Sequence, residues 1–301
     1  SMNDFIPDRI PHRAVIIDIG SNSIRYMEAA CIDGVVSFSP KEVYTTRLAE
    51  GLLSSGSLSQ ARMQQSLSVL SALILRAKGG GFVPYAYATS AVRDAKNRSV
   101  FLKEVYEQTG LQIRVLSGEE EAAFAYRGAV GGRSGGLIDI GGGSTQIMTA
   151  VCRTSFPLGC VRVKDLCSGL SYMEICEKMR PIFLKTYALP TLPEKQWFAV
   201  GGTATTLAAL HLGLERYEPD AVNQCTMQAE EIDTLLHKLD GMGADHRRNH
   251  PLLRDRHDVI LCGGAILSYL IRYIGIERIS FRDADGMEGY FASVVSPCLP
   301  L

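Results

Sequence analysis

The sequence predicts an α/β fold of two related domains, each with a mostly parallel mixed sheet and helices on its faces. Three observations predict it. Segments of strand and helix character alternate along the chain, the pattern of sheets joined by helical crossovers. An apolar strand, an Asp-x-Gly turn and a return strand open both halves, at 14–20 and again at 136–141, as an internal duplication would. With 301 residues, 46% of them hydrophobic, the chain can fill two cores, although one large α/β barrel also fits that length.

The elements follow in order. Ala14-Val15-Ile16-Ile17-Asp18-Ile19-Gly20 is a continuous apolar run broken by glycine, a buried strand entering a loop. Residues 24–32 form its return strand, turned at Asp33-Gly34. Met63, Leu67, Leu70 and Ile74 give 59–77 helical spacing, stopped by Lys78 and three glycines. Residues 83–88 read as a strand, 100–109 as a helix stopped by Gly110, and 112–116 as a short strand. In the second half 146–152 is the return arm, 197–200 a strand and 203–212 a helix. Residues 258–274 form a long apolar helix, 278–281 a last strand and 289–295 a closing helix. The polar stretch 245–250, before Pro251, is expected to be a connector.

Lys and Arg total 31 against 32 Asp and Glu, a formal net charge of −1. A protein that holds long polyanions by field alone would be far more basic, and no nucleic-acid partner is expected. Any anion site must be local, made of backbone N–H groups, a few arginines and a metal. The cysteines at 31, 152, 160, 167, 176, 225, 262 and 298 show neither C-x-x-C nor zinc spacing. They are expected to be buried thiols in a reducing compartment. Residues 1–12 lack a signal-like apolar region, Ser1-Met2 is set aside as a cloning remnant, and no apolar run approaches membrane-spanning length. A cytoplasmic protein without a membrane partner is expected.

Three glycine turns carry the chemistry. In Asp18-Ile19-Gly20-Ser21-Asn22-Ser23, glycine permits close approach to a phosphate, Ser and Asn add donors, and Asp can hold a divalent ion. Alone, that turn is no stronger a signal than a strand-capping turn. Asp139-Ile140-Gly141-Gly142-Gly143-Ser144-Thr145 is stronger, because three glycines at a strand end cost conformational entropy. Gly201-Gly202-Thr203-Ala204-Thr205-Thr206 opens a helix after a strand, so its N–H groups can face an anion. Threonine capping explains it as well.

Together these runs resemble the two phosphate motifs and the third glycine motif of the actin-like ATPase superfamily. More narrowly, they resemble the exopolyphosphatase/guanosine pentaphosphate phosphohydrolase (Ppx/GppA) family. Ala88-Thr89-Ser90-Ala91-Val92-Arg93-Asp94-Ala95-Lys96-Asn97 is similar to that family's T-S-A-x-R-x-A-x-N stretch. Ser117-Gly118-Glu119-Glu120-Glu121-Ala122 is similar to its S-G-x-E-E-A stretch, and Arg256-His257-Asp258-Val259-Ile260 to its R-A-D-V-I helix start. The matches run in family order over nearly the whole chain.

The resemblance implies an actin-like, ribonuclease-H-like fold in two domains, 1–122 and 123–288, with the site in the cleft between them. The closing helix, at about 289–301, is expected to pack back on the first domain. Glu121 matches the catalytic glutamate and would hold the attacking water. The implied phosphate contacts are Gly20, Ser21, Asn22, Ser23, Arg93, Gly141, Gly142, Gly143, Ser144, Thr145, Gly201, Gly202 and Thr203. Asp18, Asp139 and Glu121 are the candidate shell for magnesium (or manganese). Arg25, Gln146 and Arg256 are secondary candidates, and Arg25 is as readily a surface arginine. A homodimer follows from the resemblance alone, since the sequence shows no interface.

Some features have plainer readings. Glu119-Glu120-Glu121 is equally explained as first-turn acids favoured by the helix dipole. Arg247-Arg248 is either a solvated loop or a guide for a phosphate chain. The six histidines show no pairing that suggests a base or a ligand. Two departures stand out. Gln146 follows Thr145 where the family pattern has glutamate, and Asp285-Gly286-Met287-Glu288-Gly289 replaces G-L-R-E-G, without its arginine. Ending near 301, without the extra C-terminal domains of longer members, the chain is expected to be a minimal form.

Removal of terminal orthophosphate from inorganic polyphosphate is the leading expectation. Guanosine pentaphosphate presents the same terminal phosphoanhydride and is the near alternative. A sugar or acetate kinase of the same fold would need a carboxylate base and an adenosine pocket, and the S-G-x-E-E-A match weighs against it. Gln146 keeps a non-hydrolysing nucleotide or polyphosphate sensor open.

Overall fold

Two six-stranded sheets carry the fold of this computed structural model, which describes residues 13–295. Residues 1–12, Cys298 and the part of the expected closing helix beyond 295 lie outside the described residues. The first sheet holds β1 (Arg13–Ile19), β2 (Ser23–Ile32), β3 (Val35–Phe38), β4 (Glu42–Thr45), β5 (Val83–Ala88) and β6 (Ile113–Val115). Its order is β3-β2-β1-β5-β6, with β4 also on β2. The second holds β7 (Gly136–Ile140), β8 (Thr145–Met148), β9 (Arg153–Phe156), β10 (Trp197–Val200), β11 (Thr226–Gln228) and β12 (Arg278–Phe281). Its order is β11-β12-β10-β7-β8-β9.

Each sheet opens with an antiparallel meander and then adds parallel strands beside its first strand. The expectation of mostly parallel sheets is therefore corrected. The Gly20 and Gly141 turns are too short for a crossover, so the strands they join must be antiparallel. The duplication is visible in register: Asp18 faces Arg25 across β1 and β2, and Asp139 faces Gln146 across β7 and β8.

β1 is buried from Ala14 to Ile19 because both sheet faces are covered. Val15, Ile17 and Ile19 join the core that includes Met63, Leu67, Leu70 and Ile74 of the helix Gln60–Gly79. Ile16 points the other way and packs in the cluster of Met287, Tyr290 and Phe291, the period of two that a strand imposes. The closing segment thus returns onto the first sheet. It begins earlier than expected, as the helix Gly286–Tyr290, and passes into the π-helical turn Phe291–Val295. Asp285 sets that start: its side chain accepts from Met287 N at 3.1 Å, and Glu288 caps Asp285 N at 2.7 Å.

The helix Gly118–Ala129 leads from the first sheet to the second and crosses the closing helix. Glycines make the crossing close. A Cβ on Gly128 would lie 1.8 Å from Asp285 O, and one on Gly289 1.8 Å from Phe124 O.

Other expectations shift by local chemistry. The expected connector at 245–250 is the helix Ala244–Asn249, which buries no residue and so shows no apolar periodicity. The long apolar helix starts at Ile260, since Asp258 remains outside it to meet Arg47 and Lys164. The arm expected at 146–152 ends at Met148, where Thr149 accepts from Val151 N and Cys152 N to turn the chain. Cys160, Cys167, Cys225 and Cys262 are buried free thiols; Cys31 and Cys152, at hairpin ends, and Cys176 are only half-buried. Among the described residues, no helix is long and apolar enough to cross a membrane.

Candidate active site

The two Asp-x-Gly turns close in the same way. Gly20 N–H donates to Ser23 O at 3.0 Å, and Gly141 N–H to Ser144 O at 2.9 Å. Each closure leaves successive N–H groups, on Ser21 and Asn22 and on Gly142 and Gly143, without a backbone partner among the described residues. Such groups form a cradle for an anion. The turns also face one another. A Cβ on Gly142 would come within 2.8 Å of Ser21 Cβ, and one on Gly143 within 2.2 Å of Ser90 Oγ. The run of glycines therefore serves close contact between the two turns. Arg162 fastens the second turn, donating to Gly143 O at 2.6 Å and pairing with Asp94 at 2.5 Å.

One cleft gathers most of the residues singled out in the sequence. Asp18, Gly20, Ser21, Asn22, Ser23 and Arg25 line it from the first sheet's side. Asp139, Gly141, Gly142, Ser144, Gly201, Gly202 and Arg256 line it from the second, and Glu121 lies between. Gly143 instead turns toward Ser90. Two threonines depart from the expected phosphate contacts for packing reasons. Thr145 is buried and donates to Leu158 O at 2.7 Å, and Thr203 is buried against Gly263. The basic pair at 247–248 is likewise engaged elsewhere: Arg247 donates to Leu239 O, and Arg248 to Asp245.

Glu121 is singled out from its acidic neighbours by the helix that carries it. Ser117 Oγ accepts from Glu120 N, and Glu120 returns a bond to Ser117 N, both at 3.1 Å. Glu120 also pairs with Arg114, so helix capping accounts for it. Glu121 points into the cleft, accepting from Ser144 Oγ at 3.5 Å and from Arg93 Nη1 at 3.1 Å. Arg93 also donates to Leu116 O at 2.8 Å. It thus holds Glu121, although the resemblance implied a phosphate contact. Burial pushes the Glu121 carboxyl up to about 7, reinforced by Asp18 and opposed by Arg93 and Ser144.

The equivalent register positions Arg25 and Gln146 are both committed to protein partners. Arg25 pairs with Asp18 and donates to Asp285 Oδ2 at 2.6 Å. It is neither on the surface nor free. Gln146 is buried and donates to Ser144 Oγ and Ser155 Oγ, each at 2.9 Å. Arg256 differs, with no ion pair or side-chain hydrogen bond among the described residues. Its guanidinium lies against Gly202, where an added Cβ would be 1.8 Å from Cζ, at the N-terminus of the helix Gly202–His211. Burial lowers its pKa, and Arg25 adds to that.

The Asp139 carboxylate makes no hydrogen bond among the described residues. Burial, then Asp285 and Glu121, raise its carboxyl well above the usual range. Asp18 Oδ1 is buried without a partner among the described residues. Among the described residues no three His, Cys, Asp or Glu groups converge on one metal position. The orphaned Asp18 oxygen and the unpaired Asp139 carboxylate nevertheless fit a hard cation that takes few protein oxygens and completes its shell with water and phosphate.

Ser90, Asp285 and Tyr87 are among the lining residues that sequence reasoning missed. Ser90, whose hydroxyl meets that of Ser21 at 3.0 Å, lay within a motif already quoted. Asp285 lay within the departing D-G-M-E-G run. Tyr87 looked like any strand residue.

The sequence profile of the Ppx/GppA phosphatase family matches residues 33–296. This chain belongs to that family. This Ppx/GppA protein is 28% identical over 314 aligned residues to exopolyphosphatase 2 of Mycobacterium tuberculosis, covering 94% of this chain and 98% of the relative. Over 159 residues it is 38% identical to the guanosine-5′-triphosphate,3′-diphosphate pyrophosphatase of Vibrio parahaemolyticus, covering 48% of this chain and 31% of the relative. The Ppx/GppA family member of Aquifex aeolicus aligns with a TM-score of 0.77 at 26% identity, covering 94% of this chain and 97% of that one. An exopolyphosphatase from Cytophaga hutchinsonii aligns at 0.86 with 18% identity, covering 95% and 98%, a likeness of fold. The expected actin-like α/β fold with two mixed sheets is borne out.

Proposed function

We propose that this Ppx/GppA protein releases terminal orthophosphate from inorganic polyphosphate by in-line attack of water. The observation that carries the reading is Glu121 placed in one cleft with both glycine turns and hydrogen-bonded to Ser144 of the second. In this reading the unpaired N–H groups of the two turns, with Ser144, hold the terminal phosphate. Gly202, at its helix N-terminus, and Arg256 take the phosphates behind it. Asp18 and Asp139 would hold magnesium (or manganese), which when bound neutralises phosphate oxygens and the leaving group. Glu121 accepts the proton of the attacking water as its oxygen bonds to phosphorus and the bridging P–O bond breaks. The products are orthophosphate and a chain one unit shorter. A carboxyl poised near neutrality suits that proton transfer.

The division into 1–122 and 123–288 belongs to the same proposal, as do a cytoplasmic setting and a polyanionic substrate in place of nucleic acid or membrane. A homodimer is proposed on family likeness and is checked by light scattering. Guanosine pentaphosphate is the second reading, favoured by likeness to the Vibrio parahaemolyticus pyrophosphatase. The test is orthophosphate release, with magnesium, from tripolyphosphate, longer polyphosphates and guanosine pentaphosphate. Release from polyphosphate is expected. Faster release from guanosine pentaphosphate supports the second reading, whereas binding without release from any substrate overturns both and points to a sensor.

A further inference from the structure

Four carboxylates, Asp18, Glu121, Asp139 and Asp285, line the cleft beside two cationic side chains, Arg25 and Arg256. Arg25 is divided between Asp18 and Asp285. Asp285 cannot readily swing away, being 4% exposed and tied through its other oxygen to Met287 N at 3.1 Å and Lys41 Nζ at 3.2 Å. Lys41 is itself consumed, with Glu288 Oε1 at 2.9 Å. Burial disfavours the charge on Asp285, but Arg25 and Lys41 outweigh it and keep the carboxyl ionised. A guanidinium held by two carboxylates offers little net charge to a third anion. A phosphate approaching Arg25 meets the two carboxylates that hold it, Asp18 and Asp285. On the other wall Arg256 has no carboxylate partner among the described residues, and it stands over a helix N-terminus. Asp285, Gly286 and the fully buried Met287 are also where the chain departs from G-L-R-E-G.

We infer that Asp285 is a specificity determinant of this cleft: it takes Arg25 out of phosphate binding and confines a polyanion to the path past Gly202 and Arg256. The inference rests on the phosphate-substrate reading above, but its readout is binding and requires no turnover. The probe is inorganic tripolyphosphate, titrated calorimetrically into the full chain. Asp285→Asn and Asp285→Ser each remove the charge while keeping an acceptor for Met287 N. Both are expected to bind about tenfold tighter than the parent, as one like charge leaves the wall. Adding Arg25→Gln to Asp285→Asn should abolish the gain, and Arg256→Gln alone should weaken binding about tenfold or more. Should one Asp285 variant fail to fold by circular dichroism, the other carries the test. Folded variants that bind no more tightly, or a gain that survives loss of Arg25, overturn the inference. A parent protein that binds tripolyphosphate but never releases phosphate would overturn the proposed activity and leave this inference standing.

Discussion

Arg93 Nη1 lies 3.1 Å from Glu121 Oε2, so a cation from the helix Ser90–Asp94 holds the carboxylate that the proposed reaction uses as its base. Burial raises the Glu121 carboxyl and Arg93 opposes that rise. The base works only when ionised, so kcat/KM should fall below pH of about 7, by tenfold per unit. Arg93→Gln removes the opposing cation and should move this acid limb up by about one pH unit. A pH–rate profile from 5.5 to 9 checks it. An unmoved limb contradicts the coupling.

The same carboxyl makes a prediction about stability. Its folded pKa, about 7, exceeds the ordinary 4.5, so the folded state binds more protons between those values. Stability contributed by this group therefore falls as pH rises through the window and levels off above it. Glu121→Gln should stabilise the ligand-free protein by about 1–3 kcal/mol at pH 8 and little near pH 4.5. Urea unfolding at the two pH values measures the difference. Equal effects at both would contradict it.

Gln146 supplies two hydrogen bonds from a buried position, to Ser144 and Ser155. Gln146→Glu places a second carboxylate behind Ser144, itself a donor to Glu121. We expect a cost of about 1–3 kcal/mol without metal, and half-saturation at roughly three- to tenfold less magnesium. Metal titration of phosphate release, paired with thermal unfolding, decides. If neither quantity moves, the departure at this position is immaterial.

Asp258 joins Arg47 of the first sheet's side to Lys164 of the second, the latter at 2.7 Å. Burial opposes ionisation of Asp258, but its two cations outweigh it and hold the carboxyl below its usual range. The stability it contributes is present above the ordinary carboxylate pKa and is lost as pH falls through the folded value. Asp258→Asn should cost about 1–3 kcal/mol at pH 7 and enlarge the ligand-free molecule. X-ray scattering and denaturant unfolding check both parts. Unchanged dimensions would show that this bridge does not hold the cleft closed.

Gly289 stands where the closing helix crosses the helix Gly118–Ala129, and a Cβ there would lie 1.8 Å from Phe124 O. Gly289→Ala must push the helices apart and should destabilise by about 3 kcal/mol. Exposed Gly132, with open space around its missing Cβ, is the control, and Gly132→Ala should change stability little. Equal unfolding midpoints for both variants would contradict the packing argument.

Much of this architecture could be read from the chain itself. β5, β10 and β12 matched their expected limits, β10 because its apolar run ends at Gly201-Gly202. Both glycine turns were legible because close approach leaves a composition that few other constraints produce. The helix Tyr172–Thr186 was not, as Pro181 lies inside it and reads as a breaker. Within the site, side-chain direction was the missing quantity. Nothing in the order of residues says that Thr145 and Thr203 turn into the core. Nor does it bring Asp285 to Arg25, 260 positions away. Such pairings depend on tertiary packing.

The most direct measurement compares the parent with Glu121→Gln in two assays on tripolyphosphate with magnesium: calorimetric binding and single-turnover phosphate release. The account predicts binding retained within about threefold and release slowed by about 10²- to 10⁴-fold, the range general-base catalysis supplies. Release at the parent rate from a variant that binds normally would contradict it.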